Sequence, residues 1–256
     1  MRSGGLYPQK FNRMTEDNIT TNVQLENGSP AFAKPVLCAG AVVKDGISLI
    51  HGDSLQALKS YGDNYFDVAI VDPPYGLGDR LVKGGAKGGM GTMRNLADDK
   101  VTTWDDKIPP PEYFTELKRV SKNQIIWGGN YFLDYLGKTD GFVVWDKMNG
   151  TNPMADAELA WQNIKGTTRM FRWHHFSGER TTKIHPTQKP TQLYKWLLEN
   201  YTKEGDLILD THLGSGSIAI ACHQMKRKLI GYEIYADYYR KACKRFEEQT
   251  RQTALW

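Results

Sequence analysis

The chain reads as an α/β fold built on one mostly parallel sheet of about seven strands, flanked by helices. Three observations carry that reading. Short β-branched runs alternate with amphipathic helical segments along most of the chain beyond residue 46. Phe66, Val68, Ala69 and Ile70 run directly into Val71-Asp72-Pro73-Pro74-Tyr75-Gly76. Leu207-Ile208-Leu209-Asp210 runs into a glycine turn and then an apolar helical stretch. The last two deliver polar residues to strand tips, where open parallel sheets build their ligand sites. A chain of 256 residues is long enough for one large domain with a substantial core.

Residues 1–45 are polar and weakly periodic and are expected to form an arm or irregular cap outside the sheet, leaving 46–256 as a single domain. Ser48-Leu49-Ile50-His51-Gly52-Asp53 supplies a first strand, and the run ending at Val71 a second. The stretch 76–106 follows, with Gly84, Gly85, Gly88, Gly89 and Gly91 interleaved with Arg80, Lys83, Lys87 and Arg94. Glycine gives mobility and the cations give phosphate affinity. A long segment without periodicity is usually functional or disordered, and a solvated loop without a role is the alternative here. Pro111 sits at the first turn of a helix expected over 112–122, followed by strands at 124–127, 142–145 and 157–161. After Pro190, the residues Leu193, Tyr194, Leu197, Leu198 and Tyr201 fall at helical spacing, a stripe that reads as core. Strand 207–210, the turn holding Gly214 and Gly216, a helix beginning at Ile218 and strand 229–233 complete the pattern.

Two segments carry chemistry. Asp72 precedes a proline and is biased to extended backbone, while Pro73 and Pro74 have fixed φ and no N–H, so the turn is stiff and rich in acceptors. A carboxylate, a fixed carbonyl and the Tyr75 ring suit a planar amine such as the exocyclic amino group of a nucleobase. A proline-bearing turn with a packed tyrosine would leave the same residues. Downstream, Glu233 ends a strand about 20 residues beyond Gly214 and Gly216, the spacing by which nucleotide-binding α/β folds hold a ribose diol. The turn lacks the third glycine of the dinucleotide fingerprint, which favours an adenosine without a pyrophosphate over a nicotinamide cofactor.

Together these segments resemble the S-adenosylmethionine-dependent DNA amino-methyltransferases whose catalytic motif precedes the cofactor motif, across most of residues 46–245. The resemblance implies a Rossmann-like methyltransferase sheet with its last strand antiparallel. It also implies that Asp72, Pro73, Pro74 and Tyr75 are catalytic. Asp53 would meet the cofactor adenine. His185-Pro186-Thr187-Gln188-Lys189-Pro190 matches the segment beside the cofactor's methionine part, so His185, Thr187 and Lys189 would bind cofactor along with Asp72. Asp210, Leu213, Gly214, Ser215 and Gly216 would form the cofactor loop, and Glu233 would bind ribose. Many relatives carry Pro-Phe where this chain has His212-Leu213, so Leu213 is expected to replace an aromatic contact. The reaction implied is methylation of adenine N6, the choice that Asp before Pro-Pro-Tyr favours. Cytosine N4 is the alternative, and an RNA methyltransferase or a silent DNA-binding regulator is more remote.

The remaining features bear on partners. A net charge of +4 is compatible with double-stranded DNA. Residues 162–184, where relatives carry their target-recognition region, form a short basic segment holding Arg169, Arg172, Arg180 and Lys183 with aromatics between. Cations there would hold phosphates and probe the duplex where a base leaves; a basic hairpin with its aromatics packed inward is compatible with the same residues. Its shortness implies a brief target, or recognition shared with the glycine loop or with a second subunit, and the family adds a cognate restriction endonuclease as a partner. Cys38, Cys222 and Cys243 lack paired spacing and His174-His175 lacks nearby ligands, so neither a disulfide framework nor a metal site is expected. A cytoplasmic location is the expectation.

Overall fold

The computed structural model of the chain describes residues 41–77, 105–150, 155–174, 184–185 and 187–251. Among these, nine strands form one sheet in the order β1-β2-β9-β8-β3-β4-β6-β5-β7. The strands are β1 Val42–Lys44, β2 Ile47–His51, β3 Phe66–Val71, β4 Ser121–Trp127, β5 Phe142–Asp146, β6 Ala157–Gln162, β7 Arg169–Arg172, β8 Leu207–Asp210 and β9 Lys228–Glu233. Of the seven neighbouring pairs from β2 to β7, five are parallel and two antiparallel, because β6 runs antiparallel to both β4 and β5. The seven expected strands are all present, with 157–161 the reversed one.

Helices cover both faces. On one side α1 (Ser54–Leu58), α2 (Pro111–Val120) and α3 (Leu133–Leu136) place Leu58, Phe114, Leu117 and Leu136 against Ala69, Val71, Ile126 and Leu209. On the other, α4 (Thr191–Tyr201), α5 (Ser217–Gln224) and α6 (Ala236–Gln249) pack Leu197, Ile220 and Phe246 against Val68, Ile70, Ile125 and Ile208. The alternation of Val68 and Ile70 with Ala69 and Val71 across β3 is the period-two pattern of a strand buried on both sides. α5 is buried at every residue from Ser217 to Cys222, as an apolar helix in a core should be.

Four local outcomes differ from the sequence reading. β1 lies inside the stretch assigned to the arm: Asp45 and Gly46 take φ of 49° and 80°, forming a tight turn that pairs Val42–Lys44 antiparallel with β2. Residues 1–40 lie outside the described residues. α2 stops at Val120, two residues before the expected end, because Ser121 already has extended backbone and pairs with Phe66 in the sheet. Within 162–184, Arg169–Arg172 adds a strand parallel to β5, and Phe171 packs against Trp196 with ring centroids 5.6 Å apart. α6, which periodicity had left unassigned, buries Tyr238, Tyr239, Ala242, Cys243 and Phe246 along one stripe.

Candidate active site

The strand order has a switch point between β3 and β8: the chain leaving β3 continues to β4 on one side, and the chain leaving β8 continues to β9 on the other. Loops diverging from two neighbouring strand ends open a crevice there. Residues from these tips line one cavity of about 390 Å³, within the usual range for small-ligand sites. Asp72, Pro73, Pro74 and Tyr75 line it from the end of β3, His185, Thr187 and Lys189 from the segment before α4, Leu213, Gly214 and Ser215 from the turn after β8, and Glu233 from the end of β9. Asp53, Asp210 and Gly216 are not in its lining.

β3 ends where it does because Pro73 and Pro74 cannot donate to a ladder. The next three N–H groups, of Tyr75, Gly76 and Leu77, all bond the Asp105 carboxylate, at 2.5, 3.2 and 3.1 Å. That buried acid fixes the turn on which Asp72 and Tyr75 sit. Burial, reinforced by the Asp72 carboxylate, raises the Asp105 pKa despite the three N–H bonds. The Tyr75 hydroxyl donates to Asp72 Oδ1 at 2.5 Å, and its ring stacks on Tyr131 with centroids 5.3 Å apart. Gly128, at φ +66°, leaves the room: a Cβ there would lie 2.2 Å from the Tyr75 ring.

Lys189, expected at the cofactor, directs its ammonium to Asp72 and Tyr75. It donates to Asp72 Oδ2, lies 3.3 Å from the Tyr75 hydroxyl and forms an ion pair with Glu158 Oε2 at 3.1 Å. Glu158 Oε1 in turn pairs with Lys147 at 2.6 Å. Burial alone would depress the Lys189 pKa, but Asp72 and Glu158 outweigh it and raise it. The same two lysines hold Glu158 down at about 2 against the opposing effect of burial.

On the other side of the cavity, Glu233 accepts from Gly214 N–H at 2.8 Å and from Tyr235 N–H at 2.9 Å, tying the glycine turn to the end of β9. Gly214 has φ +52°, and a Cβ there would make ordinary contacts with His212 O at 3.8 Å and the His185 ring at 3.9 Å, so the positive φ and not crowding calls for glycine. Gly216 serves the turn and packing instead, with φ +72° and Ala242 only 3.3 Å from the position of a Cβ. Leu213 packs inward: its side chain lies 3.0 Å from where a Cβ on Gly231 would sit. His185 meets the Tyr238 ring at 4.4 Å, and burial together with Lys189 and Lys241 lowers its pKa to about 3, so it is neutral. Asp210 is buried behind the turn and accepts from His212 N–H at 3.0 Å. Asp53 is an exposed helix cap, accepting from Leu55 N–H at 2.9 Å.

The residues fit an adenosine-bearing ligand, because one cavity of ligand size joins the buried Glu233 carboxylate and a glycine turn to Asp72. Among the described residues no cluster of His, Cys, Asp and Glu could hold a metal ion, and no helix is long and apolar enough to cross a membrane. Of the basic residues expected at DNA, Arg169 and Arg172 sit on the edge strand β7, outside the cavity, with Arg172 Nε 3.3 Å from Asp146 Oδ2. Arg80, Lys83, Lys87, Arg94, Arg180 and Lys183 lie outside the described residues, as does Pro186. Sequence reasoning missed Asp105, Tyr131, Lys147, Glu158 and Tyr194 in or beside the site. An acid in the apolar run Ala157-Glu158-Leu159-Ala160-Trp161 was the one local signal for Glu158.

A family model described as DNA methylase matches residues 138–244. The chain is 26% identical over 246 residues to "Type II methyltransferase M.HpaI" of Haemophilus parainfluenzae, covering 78% of this chain and 74% of that protein. It is also 26% identical over 252 residues to "Type II methyltransferase M2.DpnII" of Streptococcus pneumoniae, covering 80% and 91%. Among solved structures, the M1.HpyAVI–SAM complex has the same fold, with a TM-score of 0.50 at 23% identity over 78% of this chain and 98% of that one.

Proposed function

We propose that the chain is an S-adenosylmethionine-dependent DNA methylase, a reading its similarity to that family supports, and that it methylates the exocyclic N6 of adenine in double-stranded DNA, with Asp72 holding the amine. The observation that carries this reading is the single cavity lined by both Asp72 and Glu233. Glu233, Gly214, Ser215, His185 and Thr187, which line that cavity, would hold S-adenosylmethionine, whose chemistry there would be an electrophilic methyl group.

The lone pair of adenine N6 is delocalised into the ring and is a poor nucleophile. Asp72 and the Pro73 carbonyl would accept hydrogen bonds from the amino group and draw the nitrogen toward tetrahedral geometry; as the N–C bond forms the S–C bond breaks, its electron pair leaves with the thioether, and the nitrogen gives up one proton to solvent, without a covalent enzyme intermediate. Positioning and hydrogen bonds matched to positive charge developing on nitrogen supply most of the gain. The base leaves the duplex at a cost of a few kcal/mol, and aromatic stacking returns about 1 to 3. Because Tyr75 is already stacked on Tyr131, the surface offered to the base is that aromatic pair. Arg169 and Arg172, with the basic residues of 76–106 and with Arg180 and Lys183, hold the DNA. A second subunit, a cognate endonuclease and work in the cytoplasm complete the proposal.

Incubation of the protein with duplex DNA and S-adenosylmethionine, followed by mass spectrometry of the nucleosides, is expected to yield N6-methyladenine. Asp72→Ala should abolish transfer while leaving S-adenosylmethionine affinity within about tenfold. Product consisting only of N4-methylcytosine would reassign the base, and full activity of Asp72→Ala would remove Asp72 from the mechanism.

A further inference from the structure

Behind Asp72 an unbroken row of side chains crosses from one strand end to another. Lys147 follows β5, Glu158 lies in β6, Lys189 precedes α4 and Asp72 follows β3. The contacts run from Lys147 Nζ to Glu158 Oε1 at 2.6 Å, from Glu158 Oε2 to Lys189 Nζ at 3.1 Å, and from Lys189 Nζ to Asp72 Oδ2. The charges therefore alternate, positive, negative, positive, negative. Lys147 and Lys189 are both buried, and an ammonium is tolerated there only with partners. An apolar side chain at 158 would suit a strand in this sheet without requiring a second buried lysine, so stability alone does not account for the acid.

The row bears on the carboxylate that receives the substrate amine. Asp72 already accepts from the Tyr75 hydroxyl on one oxygen and from Lys189 on the other. Paired with Asp72 alone, the Lys189 ammonium would take up the acceptor strength of that carboxylate. Shared with Glu158, it leaves part of that strength for another donor.

We propose that Glu158, supported by Lys147, is a positioning residue that holds the Lys189 ammonium between two carboxylates, so that Asp72 remains a strong acceptor for the amino protons of the substrate. The inference rests on the assignment of Asp72 to the amine made above. The other groups around Lys189 leave this balance to the two acids. Tyr75 from β3 and Tyr194 from α4 have pKa values raised by burial and by the nearby carboxylates, Asp72 first among them, and stay neutral. His185 is neutral, Asp210 at the end of β8 is pushed up to about 8 chiefly by burial, and Trp127 of β4 presents its ring 5.2 Å from Nζ.

Lysine labelled with carbon-13 at Cε reports the titration of Lys189 by NMR, with the resonance assigned through Lys189→Arg. In Glu158→Gln the Lys189 midpoint should fall by about one pH unit or more, the size of shift lost with a close opposite charge. The same variant should lose about tenfold in kcat for methyl transfer with KM for S-adenosylmethionine within about twofold. Lys147→Met should move the Lys189 midpoint in the opposite direction, and it carries the titration alone if Glu158→Gln does not fold. An unchanged Lys189 midpoint in the folded variants, or a loss of activity confined to KM, overturns the inference. Wild-type protein that transfers no methyl group to DNA, while the midpoint moves as expected, would overturn the proposed function and leave the sharing of Lys189 intact.

Discussion

Asp210, buried behind the site, and Glu158, partly buried within it, are acids whose surroundings push them in opposite directions. Burial, followed by the Asp72 and Glu233 carboxylates, lifts Asp210 from 3.8 to about 8. Between those values the folded protein keeps a proton that the unfolded chain has released, so stability falls as pH rises through the window, by at most about 1.4 kcal/mol per pH unit, and levels off above it. Asp210→Asn keeps an oxygen for the His212 N–H and cannot ionise. Its melting temperature should therefore gain on wild type steadily from about pH 4 to about pH 8; parallel curves over that range would reject the assignment. Glu158 is the reverse case: lysine partners outweigh burial and take it from 4.5 to about 2, so its contribution is present above 4.5 and is lost as pH falls toward 2. Asp72 and Glu233 were legible because each ends a strand next to a recognisable turn. Glu158 was not, since nothing within a few residues of it marks an ion pair with residue 189.

At the scale of elements, the edge strand β7 stands apart from the cavity, so its proposed part in recognition can be tested separately from cofactor binding. It pairs with β5 alone, matching Met170 with Val144, and carries Arg169 and Arg172 on an exposed surface away from the cavity. Trp173 N–H bonds Asp146 O, so the alternate residue Phe171 also faces β5, and Phe171→Pro, which removes an N–H on that side, should detach this edge. The expected result is weaker DNA binding or altered site choice, with S-adenosylmethionine affinity unchanged; calorimetry with the cofactor and a competition assay on a randomised duplex library measure the two separately. DNA binding and site choice that survive intact would take β7 out of recognition. The strand was not legible from its sequence because Arg-Met-Phe-Arg alternates too little to exclude a hairpin or a loop. The hairpin at β1 was legible: Asp45-Gly46 between alternating residues is a strong turn signal, masked by grouping it with the polar residues before it.

The whole molecule places its basic segments on either side of the site in sequence, and their roles are separable by salt. If Lys83, Lys87 and Arg94 contact only phosphates, replacing all three with alanine should weaken binding to every DNA sequence alike and reduce the salt slope of log K by about 2 to 3. Titrations across a salt series on cognate and unrelated duplexes decide this, and a change of preferred sequence would make that stretch a reader of bases. The sequence by itself determined the α/β class, the seven strands, the proline-terminated tip at Asp72 and the glycine turn before Glu233. Each of these is written in a few adjacent residues, through side-chain period, the fixed φ of proline or the positive φ of glycine. Only the tertiary structure decided that β3 lies beside β8, that β6 is reversed between β4 and β5, and that Lys189 reaches Asp72 across 117 residues of chain. Those contacts depend on strand order and on which buried charges find partners, and such long-range pairing leaves no trace in local spacing.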